Sequence, residues 1–318
     1  MKTPVVFLVF NRPDVTFKVF ERIRVAQPST LFVIADGPRD GREGDIDLCM
    51  QVRAIIDKGV DWPCNVLKSY ADINLGCGPC VSQGLEWVFS QVDEAIILED
   101  DCLPDTSFFE YCEVILGKYR YDNSIGAICG TNFLSEQLFS DDIYFSNYFC
   151  PWGWASWKRA WKKYEYNLPK YFDQKSLNII KNHTSSYRAY KYWKRAFSHV
   201  ANNKHTWDFQ FIYSLWKSGL IVVLPSTNLI TNIGFSENAT HTGNFKSPLA
   251  NLKSKSFIFP LRIPRNCEII IQNETAIEAI AYPDPKLWHL FLAKIPKRVK
   301  TPAKKLFKYI IGKRLFTE

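Results

Sequence analysis

Three consecutive carboxylates, Glu99, Asp100 and Asp101, follow the apolar run 95–98, which has the pattern of a buried strand. Strand ends of this kind form the ligand crevice of open α/β sheets. Clustered carboxylates repel one another unless a cation or a hydrogen-bonding polyol lies between them, and Mg²⁺ and Mn²⁺ prefer such hard oxygen ligands. The triplet therefore predicts a divalent-metal site for a phosphate-bearing substrate. A solvated turn, or the cap of a helix beginning near Pro104, is the alternative.

Two other strand-like runs also end in polar residues. Asn11 and Arg12 follow the run 4–10, and Asp36 follows the run 31–35. An arginine at a strand end can bind a diphosphate through two N–H groups, and a carboxylate can accept the imide hydrogen of uracil. Asp36 could equally cap a turn. We expect both loops to point into the crevice that holds the acidic triplet.

The elements that must position these side chains are predicted from apolar runs that alternate with helical patterns. Strand-like runs cover 4–10, 31–35, 66–69, 95–98 and 125–129. This alternation predicts an α/β fold with a mostly parallel, Rossmann-like sheet and covering helices. With 318 residues, 47% of them hydrophobic, the chain can bury a large core. Neither a Gly-x-Gly-x-x-Gly sequence nor a P-loop lysine motif occurs, which disfavours dinucleotide and P-loop sites.

The C-terminal tail carries the surplus of positive charge. Residues 286–318 contain ten Lys or Arg and one acidic residue, Glu318, whereas the remainder has 30 basic and 31 acidic residues. Large apolar residues are interleaved with these cations. We expect basic amphipathic helices that bind an anionic membrane surface. A solvated helical face or a nucleic-acid arm is the alternative, although apolar residues would contribute little to binding a phosphate backbone.

Cysteine usage and the N-terminus both bear on the compartment. Nine cysteines, an odd number, fit a reducing compartment better than a disulfide framework. The first apolar run is too short for a signal-peptide core or a membrane span. We therefore expect a cytoplasmic protein that is peripherally associated with the inner face of the membrane.

Several short motifs together resemble a known enzyme family. In chain order they are residues 5–13, Ala35-Asp36-Gly37-Pro38, Asn74-Leu75-Gly76, Glu99-Asp100-Asp101, Trp152-Gly153-Trp154 and Trp207-Asp208. This order resembles glycosyltransferases of the A-type fold, in particular the N-acetylglucosaminyltransferase I group and its bacterial relatives. The resemblance covers roughly residues 4–240, and the acidic triplet is its most specific part.

The resemblance implies a reaction and a set of partners. Asp101 would ligate Mn²⁺ (or Mg²⁺), and Asp100 and Glu99 would contact the UDP-sugar donor. The acceptor would be a glycan or a lipid-linked glycan, in surface polysaccharide assembly, and no nucleic acid would bind. We expect residues 1–130 to bind the nucleotide sugar and 131–285 the acceptor, with 286–318 as the membrane-binding tail.

The implied mechanism is a single displacement that inverts the anomeric carbon, with a carboxylate removing the proton of the acceptor hydroxyl. Asp208 is the candidate base. The N-acetylglucosaminyltransferase I pattern has paired aspartates after the tryptophan, whereas the second position here is Phe209, so Asp208 could align with the non-catalytic one. Asp208 could also cap the following helix.

Other candidate site residues are aromatic side chains and a histidine. Trp152, Gly153 and Trp154 are suited to a sugar-binding wall, because flat aromatic rings pack against pyranoses; packing in the core is the alternative. His241 resembles the late histidine with which some A-type enzymes bind the metal or the diphosphate, and histidine is a good ligand for Mn²⁺. A lone histidine is more often an ordinary exposed or core residue.

Two hypotheses from other classes stay open. Cys77-Gly78-Pro79-Cys80 matches the thioredoxin dithiol and precedes a helical pattern, so a thiol-disulfide oxidoreductase is one alternative. A non-catalytic protein that binds nucleotide sugars in the same pocket is the other. Loss of Asp208 would be tolerated by such a sensor but not by a transferase that uses it as base.

Overall fold

The computed structural model describes residues 1–134, 139–203, 205–235 and 252–281. Its strands are β1 (Val5–Val9), β2 (Thr30–Ala35), β3 (Asn65–Tyr70), β4 (Glu94–Glu99), β5 (Cys102–Pro104), β6 (Ile125–Cys129), β7 (Ile143–Ser146), β8 (Trp154–Trp157), β9 (Ile221–Pro225) and β10 (Ile230–Asn232). Its helices are α1 (Pro13–Ala26), α2 (Asp45–Gly59), α3 (Cys77–Gln91), α4 (Ser107–Lys118), α5 (Lys158–Trp161), α6 (Gln174–Asn182), α7 (Tyr187–Asn202), α8 (Asp208–Lys217) and α9 (Ile271–Ala281).

Eight strands form one central sheet in the order β3-β2-β1-β4-β8-β6-β9-β7. The pairs β3–β2, β2–β1, β1–β4 and β6–β9 are parallel. β8 runs antiparallel to β4 and β6, and β7 runs antiparallel to β9. The predicted α/β class, with a mostly parallel sheet and covering helices, is confirmed.

The sequence explains why the central strands are buried on both faces. All residues of β1 and β6 are buried, as are Leu31–Ala35 of β2 and Ala95–Leu98 of β4. Near-continuous apolar runs are typical of parallel strands that have helices on both sides. Buried side chains of α3 pack on one face of the sheet, and those of α1, α2 and α4 pack on the other. The carboxyl ends of β1, β2 and β4 consequently meet at one edge.

A helical layer from α5 to α8 packs on the sheet through aromatic side chains. Four aromatic side chains lie in one ring cluster: Trp154 of β8, Trp161 of α5, Phe211 of α8 and Trp207, which directly precedes α8. Trp154 stacks on Trp207 with 5.4 Å between ring centroids. Strands on both sides of residue 130 join the same sheet. The division into donor and acceptor subdomains stays a prediction.

The last described helix, α9, is fixed to the body by two buried carboxylates. Glu274 accepts hydrogen bonds from Ser146 Oγ at 2.6 Å and from the backbone N–H of Asn147 at 3.0 Å. Glu278 accepts one from the backbone N–H of Ser185 at 2.6 Å. Burial raises the pKa of Glu274 to about 7. The chain beyond Ala281, including the predicted tail 286–318, lies outside the described residues. Within the described ranges, every helix is too short or too polar to cross a membrane.

Candidate functional site

The acidic triplet lies at the carboxyl end of β4, in the middle of the central sheet. Glu99 is the last residue of β4 and pairs in register with Leu8 of the neighbouring β1. Asp100 and Asp101 follow and are only 4% and 6% exposed. The small β5–β10 sheet fixes the next residues, and Ile233 donates its backbone N–H to the Asp101 carbonyl oxygen at 2.8 Å. The triplet is thus held on a rigid part of the fold.

Arg12, in the loop between β1 and α1, is the ion-pair partner of two triplet residues. Its guanidinium binds Asp100 in bidentate fashion, with Nε 3.2 Å from Oδ2 and Nη2 bonded to Oδ1. Its Nη1 lies 3.1 Å from Oδ2 of Asp101. Burial works to lower the pKa of Arg12, but the two carboxylates outweigh it and raise the pKa, so the guanidinium stays charged.

The negative charge of the crevice exceeds what Arg12 can balance. Although Glu99 keeps some exposed surface, desolvation is the largest cause that raises its pKa well above the usual range, followed by the charges of Asp101, Asp100 and Asp208. Desolvation also raises the pKa of Asp100, against the opposing effect of Arg12. In the described part of the chain, both ion pairs of the triplet are made by Arg12. The crevice therefore favours a further cation.

The residues present fit a hard divalent metal ion. One ligand atom each of Glu99, Asp101 and Cys102 lies within 4.8 Å of the others. Two carboxylates suit Mg²⁺ or Mn²⁺, whereas the Cys102 thiol is a softer donor, so the carboxylates are the members of this group whose chemistry fits such an ion. Gly234 lies against the Asp101 carboxylate so closely that a Cβ atom at that position would overlap it. A glycine is needed there for the segment after β10 to close over Asp101.

Asp36 occupies the predicted edge but binds the protein's own loops. Its Oδ1 accepts the backbone N–H groups of Gly37 and Leu75, both at 2.8 Å. Its Oδ2 accepts from Asn74 Nδ2 and from the backbone N–H of Gly76, both at 3.0 Å. With four donors, the carboxylate is well satisfied, which matches the turn-cap alternative. Its contact with uracil stays a prediction.

Asn11 is also engaged within the protein. Its Nδ2 donates to Oδ1 of Asp45 at 2.8 Å, and Arg39 binds the same carboxylate. The hydrogen bond from Arg39 is the largest of the causes that lower the pKa of Asp45 to about 2. Asn11 therefore connects the β1 loop with the start of α2, and its role in donor binding remains untested.

Asp208 lies close enough to Glu99 for the two carboxylates to interact electrostatically. It is the first residue of α8, and the N-cap position is Trp207, which makes no side-chain cap hydrogen bond. The charge of Asp208 contributes to the raised pKa values of Glu99 and Cys77, which places all three in one electrostatic environment. The Thr206 hydroxyl donates a hydrogen bond to Oδ1 of Asp208. The carboxylate is thus oriented by its own loop, at the start of a buried helix.

The three residues of the predicted aromatic wall, Trp152, Gly153 and Trp154, differ in exposure. Trp154 has no exposed surface and packs in the core, which is the alternative left open by the sequence. Gly153 has a φ of +63° and lies against Ile230, so its small size serves close packing. Trp152 keeps partial exposure, with Phe133 and Phe235 packed edge-on against it. Within the trio, Trp152 is the residue that keeps exposed surface.

The Cys77-Gly78-Pro79-Cys80 sequence begins α3, as predicted, and both cysteines are free thiols. Although part of Cys77 is exposed, desolvation and then the charges of Glu99 and Asp208 raise its pKa well above the usual range. Burial raises the pKa of Cys80 to about 12. A redox nucleophile needs a lowered pKa, so this environment disfavours the oxidoreductase alternative.

Sequence reasoning missed Thr206, Cys102 and Gly234. Cys102 follows the triplet directly and could have been added as a neighbour, whereas the close approach of Gly234 to Asp101 depends on the β5–β10 pairing. His241 lies outside the described residues, so its predicted contact with the metal remains a prediction.

We expect Asp36→Asn to destabilise the protein even without nucleotide. The new amide nitrogen would replace one acceptor oxygen, leaving two donors without a partner, at least one of them only partly buried, at about 1 kcal/mol each, the low end for buried groups. Urea unfolding measures this loss. Asp40→Asn, an exposed change in the same loop, is the control and should stay within about 0.5 kcal/mol of wild type. Wild-type stability of Asp36→Asn would show that the loop hydrogen bonds contribute little.

We expect Cys77 to react slowly with iodoacetamide, because its raised pKa leaves little thiolate near neutral pH. Alkylation followed by peptide mass mapping should be slower than for an unstructured cysteine peptide at the same pH. The rate should keep rising as the pH passes about 9, beyond the ordinary thiol pKa. Asp208→Asn should accelerate the reaction by removing one negative charge. A fast reaction that is already at its plateau near pH 7 would restore the oxidoreductase alternative.

Comparisons with known proteins give distant structural likenesses. No protein-family model matches the chain, and no curated protein matches it. TarS 1-349 of S. aureus is 9% identical, with a TM-score of 0.44 and coverage of 99% of this chain and 82% of that one. The galactosyltransferase LgtC, in complex with donor and acceptor sugar analogs, is 12% identical, with a TM-score of 0.37 over 94% and 99%. Apo UDP-glucose pyrophosphorylase is 8% identical, with a TM-score of 0.35 over 71% and 90%. At TM-scores below 0.5, these likenesses establish neither a family nor an activity for this chain.

Proposed function

We propose that this protein is a metal-dependent, inverting glycosyltransferase of the A-type fold that moves a sugar from a UDP-linked donor to a glycan or lipid-linked glycan acceptor. One observation carries the proposal: the acidic triplet, paired with Arg12 at the carboxyl end of β4, lies near enough to Asp208 for the charge of Asp208 to raise the pKa of Glu99. One side of the crevice is suited to a diphosphate with its metal, and the other offers a base. The motif resemblance to the N-acetylglucosaminyltransferase I group agrees with this division.

The donor side consists of the triplet and Arg12. Asp101 would hold Mn²⁺ or Mg²⁺, and we extend this metal role to Glu99, for which the resemblance implied donor contact, because ligand atoms of the two residues lie within 4.8 Å of each other. Such an ion, when bound, would neutralise charge on the departing diphosphate. Asp100 is bound by Arg12 and fixes the position of the guanidinium. A quarter of the Arg12 side chain remains exposed, so it can contact a phosphate while keeping its ion pairs. His241 is proposed as an additional ligand from the segment beyond Phe235.

The acceptor side consists of Asp208 and the residues that orient it. The Asp208 carboxylate removes the proton of the acceptor hydroxyl as that oxygen attacks the anomeric carbon. Attack from the side opposite the diphosphate inverts the configuration at that carbon. Thr206 holds the Asp208 carboxylate, and Trp207 anchors the loop by stacking on Trp154 in the core. Trp152 is placed to pack against a sugar ring.

The setting proposed for this reaction is surface polysaccharide assembly at the inner face of the membrane. The basic amphipathic sequence of residues 286–318 would attach the enzyme to anionic lipids. Such a peripheral site brings the crevice close to a lipid-linked acceptor while the UDP-sugar arrives from solution.

The first test is calorimetric titration of UDP, with GDP and dTDP for comparison, in Mn²⁺ and in EDTA. Asp101→Asn should weaken metal-dependent UDP binding at least about 100-fold, since even indirect partners of metal ligands contribute 10- to 100-fold. Glu110→Gln, an exposed carboxylate change on α4, is the matched control and should bind UDP as the wild type does. No binding of any nucleotide to the wild type would overturn the proposed function.

The second test separates a transferase from a sensor. Asp208→Asn should lower UDP release from a panel of UDP-sugars by about 10²- to 10⁴-fold, the usual contribution of a general base, with UDP affinity retained. Coupled assay of UDP release gives the rate, and calorimetry gives the affinity. Unchanged release by Asp208→Asn would exclude it as the base, and binding without release in the wild type would favour the non-catalytic alternative.

A further inference from the structure

The helices α6 and α7 form the most one-sided charged segment of the described chain. From 174 to 202 the sequence has six Lys or Arg and no Asp or Glu. Because residues 1–285 carry 30 basic and 31 acidic side chains, removing these six leaves 24 against 31. Residues 1–285 are therefore nearly neutral in total only because the positive charge of α6 and α7 offsets an excess of acidic residues elsewhere.

The cations of α7 lie on one exposed face. Lys191, Lys194 and Arg195 are exposed and follow Tyr187 at helical spacing. Together with Ser198, these cations line an open depression of about 400 Å³. The opposite face of α7, with Trp193 and Phe197, is buried against the aromatic core. The exposed face is thus not needed to hold the helix on the body.

The positive charge of this face is not balanced by acidic ion-pair partners within the described part of the protein. Lys191 lies over the ring of Tyr187, with Nζ 4.6 Å from its centroid. Neither Lys191, Lys194 nor Arg195 has an acidic ion-pair partner among the residues that the structure describes. A partner with phosphate groups would supply the missing negative charge.

The position of α9 places the end of the described chain next to α7. Arg188, near the start of α7, donates to the carbonyl oxygen of Glu278 at 3.3 Å, and the hydroxyl of Ser186 donates to the Glu278 carboxylate. The described chain ends three residues later, at Ala281. The segment with ten further cations, 286–318, follows in the sequence.

We propose that the exposed face of α7 docks on the phospholipid headgroups of an anionic bilayer. Tyr187 is 71% exposed and Tyr171, just before α6, is 90% exposed. Exposed tyrosines among cations are typical of membrane interfaces, where an aromatic ring lies at headgroup depth. This docking rests on the membrane attachment in the proposed function, and it assigns a second, folded element to the contact.

The test uses the full-length protein and vesicles of phosphatidylcholine with or without phosphatidylglycerol. The variant Lys191→Gln, Lys194→Gln, Arg195→Gln should bind the anionic vesicles about 100-fold more weakly at low salt, since each cation near the surface contributes about a factor of five. The matched control is Lys18→Gln, Arg22→Gln, Lys58→Gln, which removes three exposed cations from α1 and α2. It should lose little, because charges beyond about 10 Å from the surface are screened.

Two further measurements make the outcomes distinct. A tail variant, Lys304→Gln, Lys305→Gln, Lys308→Gln, should add its loss to that of the α7 variant. UDP release in solution without vesicles should be unchanged in the α7 variant. This assay tests the proposed transferase activity independently of vesicle binding. Vesicle binding of the α7 variant equal to that of the control would overturn the inference. Normal vesicle binding with lost affinity for a soluble anionic polysaccharide would assign the face to a polyanionic glycan instead, and also overturn it.

Discussion

The excess of carboxylate charge at the end of β4 is the constraint on which the site depends. Glu99, Asp100, Asp101 and Asp208 share an environment in which Arg12 is the paired cation. Withdrawing carboxylates from water is costly unless a counter-charge is present. The fold tolerates this because β4 lies between β1 and β8 in a well-packed sheet. Stability gained in the core offsets electrostatic strain at the edge, which a metal and a diphosphate–sugar ligand would then relieve.

The acidic residues near the site differ in how many hydrogen bonds they accept from the protein itself. Asp36 accepts four protein donors, and Asp45 is held by Arg39 and Asn11, so both carboxylates shape loops. The pKa of Glu99, in contrast, is raised by burial and by its acidic neighbours. All of these acids lie near the same crevice, yet their electrostatic environments differ. Sequence position at a strand end identifies the edge, and the local donor count then distinguishes the acids that shape loops from the acids of the triplet.

The sequence was sufficient for the elements with strong periodicity and insufficient where contacts are long-range. Continuous apolar runs predicted β1, β2, β4 and β6, and their ends correctly located the polar edge. No periodicity could show that β8 inserts antiparallel between β4 and β6, which is what buries Trp154 while Trp152 stays partly exposed. Likewise, Thr206 and Gly234 are ordinary residues until the fold brings them against Asp208 and Asp101.

The net charge does not show how charged residues are distributed over this molecule. Residues 1–285 are nearly neutral in sum, but acids gather in the crevice and cations gather on α6 and α7. At physiological salt, charges interact over roughly 10 Å, so separated patches act independently. An anionic surface would attract the helical layer and repel the acidic crevice, which orients the protein as well as binding it. For the proposed transferase, which would receive one substrate from solution and the other from a membrane, this orientation would keep the crevice open to both.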